Sequence, residues 1–276
     1  MQLYSRNQDV AGDRSPARSR PTATLTPMEL LSRLGVTPDA AWRDLEYVQD
    51  SASSFDAEVL SQVRDLAHTA AFQDWLGADT SAFLVADGFL ADHAAELVSP
   101  ISCFCAALAP GLADADRPNV VLTFFAGLHA NPPPSDAADD GGGGPNLLVR
   151  SLAGQLLLSR LLDEPDLGFL STPGYLDDLA QRDLGALCDV VVQLVRQLPQ
   201  QTVVYCLVDG VSHYERRSWL GGLLQVANML EHEFGRSAAP TVKVLMASAG
   251  NSMELVRKSR GRNAMWGHAS LVPGYE

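Results

Sequence analysis

The sequence predicts an α/β fold in which helices cover both faces of a parallel sheet. From residue 79 onwards, short apolar runs rich in β-branched residues alternate with amphipathic helical patterns. The run at 203–208 is unbroken and apolar, which is typical of a strand buried on both faces, and it ends on Asp209. Ligands of such sheets bind beyond the carboxyl ends of the strands. We therefore expect Asp209 at the edge where a ligand would lie.

Residues 25–78 are predicted to form a short helical prefix. Its first helix is expected to begin at Pro27, because Thr26 can cap it and Glu29 can complete a capping box. Gly35 is expected to end this helix. Two further helical patterns follow, at 39–48 and 55–76.

Residues 1–24 are predicted to be a disordered tail. Four arginines lie there among serine, proline and threonine, without the apolar block of a signal peptide. Asp9 and Asp13 count against a transit peptide.

The α/β domain is predicted to span residues 79–276. Its strands are predicted at 82–86, 119–128, 202–209, 242–247 and 269–272, and its helices at 99–109, 145–160, 184–198 and 219–234. Right-handed crossovers between successive strands would make the sheet parallel. Residues 131–145, which are rich in proline, aspartate and glycine, are predicted to form a flexible acidic loop.

The charge distribution argues against nucleic acid as a partner. Eight of the 20 basic residues lie before Pro21 or after Val256, so residues 21–256 hold 12 basic against 30 acidic residues. Such a surface repels nucleic acid and has no general affinity for anionic membranes. The chain has only two lysines, Lys243 and Lys258. No apolar stretch is long enough to span a membrane, so we expect a cytoplasmic protein with no membrane partner.

The four cysteines are expected to be reduced and buried. Cys103, Cys105, Cys188 and Cys206 lie inside apolar segments and form no C-x-x-C pair. Their spacing does not indicate a zinc site.

Several stretches carry a resemblance to a known family. They are residues 72–76, the pair Phe124-Phe125, the helix at 147–158 with its R-x-L-x-x-Q-L pattern, and the strands at 203–209 and 242–248. In this order they resemble the NACHT-type P-loop NTPases of the STAND class over about residues 72–273. The resemblance is closest to fungal NACHT-like proteins whose nucleotide motifs have decayed. It implies a P-loop NTPase-like five-stranded sheet of order 5-1-4-3-2, a Walker B acid at Asp209 and a sensor strand that ends at Ser248.

The phosphate-binding loop departs from that family. A Walker A loop, G-x-x-x-x-G-K-[S/T], binds phosphates through backbone amides and a lysine. The corresponding turn, residues 86–96, keeps only Gly88 and has no lysine or arginine, whereas Asp87, Asp92 and Glu96 are acidic. A carboxylate about 4 Å from one phosphate charge costs about 4 kcal/mol at an effective dielectric of about 20. The sequence thus predicts that this turn repels a triphosphate.

Two further family positions are also replaced. The acidic pair expected three and four residues after Asp209 is Ser212 and His213 here. The arginine expected at the end of the sensor strand is Ala249. The carboxylate that would orient an attacking water is therefore missing.

Three catalytic motifs are incomplete. The turn from Asp87 resembles part of the haloacid dehalogenase signature, but Val85 stands where the nucleophile would be. Ser212 lacks the G-x-S-x-G context of a hydrolase, because Tyr214 follows in place of a glycine. The glycines at 141–144 precede a helix, but the acidic residues before them disfavour a phosphate site.

The sequence thus favours a non-catalytic pseudo-NTPase that acts as a regulatory or scaffold module, with protein partners and no cofactor. Asp87, Gly88, Asp209 and Ser248 are the predicted remains of the nucleotide site. The alternative is a metal-dependent hydrolase or a weak nucleotide-binding NTPase, in which Asp87 and Asp209 at neighbouring strand ends hold a divalent metal. Its cofactors would be Mg²⁺ with ATP or GTP, and Asp209 is the expected metal ligand. A third possibility is one module of a larger signalling protein.

Overall fold

The computed structural model describes residues 25–114, 117–130, 143–215, 218–235, 240–252, 254–256 and 266–272. The predicted tail (1–24) and most of the predicted acidic loop lie outside the described residues. The strands are β1 (Ala82–Asp87), β2 (Asn119–Phe125), β3 (Val203–Asp209), β4 (Thr241–Ser248) and β5 (Trp266–Ser270). All neighbouring strands are parallel, in the order β2-β3-β4-β1-β5. Counted from the other edge this is 5-1-4-3-2, the expected order.

Nine α-helices are seen in the described part of the chain. They are α1 (Pro27–Leu34), α2 (Ala40–Ser51), α3 (Ala57–Arg64), α4 (Ala70–Gly77), α5 (Pro100–Ala113), α6 (Gly144–Leu157), α7 (Tyr175–Ala180), α8 (Leu184–Arg196) and α9 (Leu220–Phe234). The predicted capping box of α1 is present, and Gly35 ends this helix in the left-handed region, with φ of 63°.

Two apolar cores lie on the two faces of the sheet, because successive strand residues point to opposite sides. Val85, Val208 and Met246 face the core built with α1, α6, α8 and α9. Leu84 and Leu207 face the core built with α2, α3, α4 and α5. The predicted α/β class, with a parallel sheet covered on both faces, is confirmed.

The helices of residues 25–78 pack on both faces of the sheet. Helix α1 packs on α6, α2 and α3 pack on α5, and α4 packs on β1 and β5. The prefix is therefore integrated with the sheet domain on both sides.

Some predicted element bounds were wrong. The pattern at 55–76 is not one helix: a 3-10 turn at Asp65–His68 separates α3 from α4, and extended Thr69 caps α4 by accepting a hydrogen bond from the Phe72 amide. The second strand ends at Phe125 because the chain turns at Ala126–His129. The backbone at Gly127 lies so close to Leu97 that an added Cβ would be 2.2 Å from the Leu97 carbonyl oxygen.

Other differences concern helix and strand ends. Helix α5 continues through Pro110 to Ala113, and α6 begins at Gly144 and ends at Leu157. Gly144, assigned by sequence to the acidic loop, thus belongs to α6, and Pro145 lies in this helix as the predicted helix start requires. Helix α7 lies in the 161–183 connection, where no helix was predicted. The fifth strand runs from Trp266 to Ser270, and so begins before the predicted span of 269–272.

Two polar side chains fix α6 in place. Buried Arg150 donates hydrogen bonds to the carbonyl of Leu34 and to Asn146. Gln155 uses both ends of its amide on Thr123, accepting from its N–H and donating to its carbonyl, each at 2.9 Å. These are the polar members of the R-x-L-x-x-Q-L pattern, and both act here as structural anchors.

Candidate functional site

The predicted site residues lie together at the carboxyl edge of the sheet. Asp87 ends β1 and pairs in register with Ser248, which ends β4. Asp209 ends β3 and pairs with Ala247. Gly88 follows β1 directly. The structure thus brings the three strand ends and the first glycine of the following turn to one rim.

The two carboxylates nevertheless point to opposite faces of the sheet. Asp209 is in register with Ala247, and Ala247 with Ala86, so Asp87 lies one residue further along. Successive side chains alternate between faces, and β4 separates the two strands, which places the backbones about 10 Å apart. Asp87 and Asp209 therefore do not converge on one point, as a metal site shared by both would need.

Asp209 is buried against the start of α5. Its side chain accepts a hydrogen bond of 2.6 Å at Oδ2 from the Ser102 hydroxyl, and the residue is only 2% exposed. Oδ1 has no hydrogen-bond partner in the described part of the chain. Burial raises the pKa of Asp209 to about 7, and the Ser102 hydrogen bond and the nearby Gly210 amide oppose this shift only in part.

Ser102 is held in place by the N-terminal cap of α5. Ser99 and Ser102 form a reciprocal capping box, in which each backbone N–H donates to the other hydroxyl. The hydroxyl of Ser102 therefore serves both the helix cap and Asp209. The predicted helix start at Ser99-Pro100 is confirmed.

Asp87 uses both carboxylate oxygens inside the protein. Oδ1 accepts hydrogen bonds from the backbone N–H and the hydroxyl of Ser252, at 3.0 and 2.7 Å. Oδ2 lies 3.1 Å from Nε2 of His268 on β5. Asp87 is completely buried, so it ties the loop after β4 to the edge strand β5.

The turn after β1 is closed by the loop after β4. The Gly88 amide donates to the Ser248 carbonyl at 2.9 Å, and the Leu90 amide donates to the Ala249 carbonyl at 2.7 Å. Fully buried Ile101 fills the space beside Gly88, where an added Cβ would lie 2.4 Å from its Cδ1. Backbone amides that a phosphate loop would present to a ligand are therefore used within the protein.

The polar groups at Asp87 do not form a nucleophilic triad. In a Ser-His-Asp arrangement, the histidine takes the proton of the serine and the acid orients the histidine. Here Ser252 donates directly to Asp87, and His268 contacts the same carboxylate from the other side. Nδ1 of His268 and the Ser248 hydroxyl are buried without partners among the described residues. The geometry is that of a structural junction.

The lysine within the described residues, Lys243, is far from this rim. Lys243 lies at the opposite end of the sheet, paired with Ala82 at the start of β1, and its ammonium donates to the Leu76 carbonyl. Burial lowers its pKa. Lys258 lies outside the described residues. Within the described ranges, no three His, Cys, Asp or Glu side chains are grouped as metal ligands would be.

The other candidate residues, Ser212, His213, Glu215 and the four cysteines, lie in turns or in the apolar interior. Ser212 and His213 lie in the 3-10 turn Val211–Tyr214, and Glu215 accepts hydrogen bonds from the amides of Glu254 and Leu255. The four cysteines are buried and form no disulfide, as expected. Burial raises the pKa of Cys103 to about 11 and that of Cys206 to about 12.

Three residues of the rim were not identified from sequence: Ser102, Ser252 and His268. Ser102 lies three residues after the cap Ser99, which signals a capping box but not a contact with Asp209. Ser252 and His268 belong to no recognisable motif, so the sequence offers no signal for them.

Comparison with family models, curated proteins and solved structures found no significant match to this chain. In the described part of the chain, none of the helices has the length and apolar character needed to cross a membrane.

Proposed function

We propose that the protein is a non-catalytic relative of P-loop NTPases that serves as a regulatory or scaffold module. The sequence resemblance to NACHT-type NTPases and the sheet order 5-1-4-3-2 support this kinship. The turn after β1, which would be the phosphate-binding loop, lacks the lysine of that loop, and this supports the loss of catalysis.

One observation carries the proposal: the space beside Gly88, where a phosphate would lie, is occupied by a side chain of the protein itself. In a P-loop NTPase, a lysine and then a serine or threonine follow the glycine-rich turn, and the hydroxyl holds Mg²⁺ with the Walker B acid. Here the hydroxyl that contacts Asp209 is Ser102, and the residue before it is Ile101, which is buried beside Gly88. An apolar side chain thus stands where a phosphate-binding cation would be needed.

Isothermal titration calorimetry with ATP and with GTP, each in millimolar Mg²⁺, tests this proposal. We expect no saturable heat, because the loop amides are paired and the turn exposes the carboxyl groups of Asp92 and Glu96. Micromolar binding that Asp209→Ala abolishes would overturn it. Asp163→Asn, which removes an exposed carboxylate, is the control for a general charge effect.

A second candidate is weak binding of a Mg²⁺–nucleotide complex. It is favoured by the 2.6 Å contact between Ser102 and Asp209, since a hydroxyl and a carboxylate are the groups that hold Mg²⁺ in P-loop NTPases. Asp87 would take no part in that arrangement, because Ser252 and His268 occupy it.

Thermal unfolding with millimolar Mg²⁺ or Mn²⁺ separates the two candidates. A ligand present at about 100 times its Kd stabilises the native state by about 2.7 kcal/mol. The weak-binding candidate predicts a rise in Tm that Ser102→Ala removes. An unchanged Tm at 10 mM metal (roughly 100 times a Kd of about 100 µM), with and without nucleotide, would argue against it.

A further inference from the structure

A surface groove lies apart from the paired groups of the rim. It is an open cavity of about 430 Å³ between the end of α2 and residues 93–98 of the β1–α5 connection. Its lining includes Tyr47, Ser51, Phe55, His93, Glu96 and Leu97. This volume lies within the range of about 300–1,000 Å³ that is usual for ligand sites.

Apolar surface is exposed at this groove. Tyr47 is 56% and Leu97 46% exposed, and both are among the few large hydrophobic side chains that the described residues leave in solvent. Phe55 also lines the groove and contacts the His93 ring edge-on, with centroids 5.6 Å apart. Exposed aromatic and leucine side chains that line one groove are typical of a surface that binds a partner.

The groove is also acidic. His93 Nδ1 contacts Glu96 Oε2 at 2.9 Å, which fixes the carboxylate at the groove wall. Among the described residues that line the groove, Glu96 is the one carboxylate and no lysine or arginine occurs. Four more carboxylates lie close by in sequence, within 46–56 and 91–98. The surrounding body, residues 21–256, has 30 acidic against 12 basic residues. An anionic ligand would be repelled here, whereas a cationic one would be attracted.

We infer that this groove binds a short, extended peptide segment of a protein partner in which arginine or lysine alternates with apolar residues. An apolar side chain would rest on Phe55 and Leu97. A neighbouring cation would pair with Glu96 and stack on Tyr47, since aromatic faces attract cations. This inference rests on the proposed scaffold function and supplies the chemistry of its partner.

Fluorescence anisotropy with a labelled hexapeptide of alternating arginine and leucine tests the inference. We expect saturable binding at one peptide per chain. Replacing its arginines with glutamate should abolish binding, and replacing its leucines with serine should weaken it about fivefold or more. A serine peptide that binds equally well would show attraction by net charge alone and would overturn the inference.

Matched variants locate the site. Glu96→Gln should weaken binding about threefold, because an exposed ion pair contributes modestly, and Tyr47→Ala about fivefold. Glu164→Gln removes an exposed carboxylate outside the groove, and Trp42→Ala removes an exposed aromatic on the same helix. Both controls should bind like the parent protein. All four side chains are exposed, and an unchanged Tm would confirm that each variant is folded.

Two further outcomes would overturn the inference. Equal weakening in Glu96→Gln and Glu164→Gln would show that no specific groove is involved. A change of self-association in Glu96→Gln without peptide, seen by sedimentation velocity, would show that a second copy of the chain fills the groove. Nucleotide titration of the same variants tests the proposed function separately, because tight ATP binding would contradict that function without changing the peptide result.

Discussion

At the residue scale, Asp209 shows how burial sets the state of a carboxyl group. Its hydrogen bond from Ser102 favours the charged form, but removal from water favours the neutral form by more, so the pKa rises to about 7. Oδ1 has no hydrogen-bond partner among the described residues, and the nearby Gly210 amide compensates the lost hydration only in part.

This shift predicts that stability falls as the pH rises. In the unfolded chain Asp209 loses its proton near pH 4, whereas the folded protein keeps it until about pH 7. Between these values the folded state binds more protons, so raising the pH favours unfolding. From pH 5 to pH 8, the titration of Asp209 should lower the free energy of unfolding by about 3 kcal/mol, at about 1.36 kcal/mol per pKa unit.

Asp209→Asn isolates that contribution. Asparagine stays neutral at both pH values. The free energy of unfolding of the variant should therefore fall by about 3 kcal/mol less than that of the parent protein between pH 5 and pH 8. Urea unfolding at both values gives the difference, with Asp163→Asn as an exposed control that should behave like the parent. An Asp209→Asn variant with the parent pH dependence would contradict the raised pKa.

The position of Asp209 could be predicted from sequence, but its partner could not. A buried apolar run that ends on an acid indicates a strand end at the sheet rim. The contact with Ser102 spans 107 positions and depends on how α5 packs on the sheet, which no local pattern specifies. Asp87 was likewise placed correctly at the rim, whereas its orientation away from Asp209 followed only from the strand register.

At the element scale, α6 protects the open edge of the sheet. Strand β2 is an edge strand, and its Thr123 would present an unpaired N–H and carbonyl. Gln155 binds both groups through one side-chain amide. This arrangement satisfies the strand backbone and fixes the position of the helix at the same time.

Gln155→Ala should therefore destabilise the protein by about 2 kcal/mol, because two sheltered backbone groups lose their partners. Gln225→Ala makes the same change at an exposed position of α9 and should alter stability little. Urea unfolding measures both effects. Hydrogen exchange should become faster at the Thr123 amide in Gln155→Ala, and unchanged protection there would contradict the assigned role.

Element existence was more predictable than element bounds. The capped helices at Pro27 and Pro100 were located well, because caps are local chemistry. The division of 55–76 into two helices was not foreseen, because its apolar spacing continues through the turn. The turn that follows β2 brings Gly127 close to Leu97, a contact between distant parts of the chain that no local pattern specifies.

At the scale of the whole molecule, the helical prefix is needed on both faces of the sheet. Its buried side chains are Leu30, Leu31, Leu34, Val48, Val63, Leu66, Phe72 and Trp75. The first three lie in one core and the other five in the opposite core. The two cores thus share this segment, although the sequence pattern places it before the α/β unit.

A chain that begins at residue 79 should consequently fail to fold cooperatively. Burial of eight large apolar side chains contributes about 12–24 kcal/mol, at about 1.5–3 kcal/mol each, which is as large as or larger than the net stability of about 5–15 kcal/mol of a typical domain. A chain that begins at residue 25 keeps every described residue of both cores, and we expect it to unfold in one transition near the parent Tm. Calorimetry and near-ultraviolet circular dichroism measure the difference. A cooperative transition in the chain from residue 79 would show that the prefix is a separable unit, and that the sheet is stable without helices α1–α4.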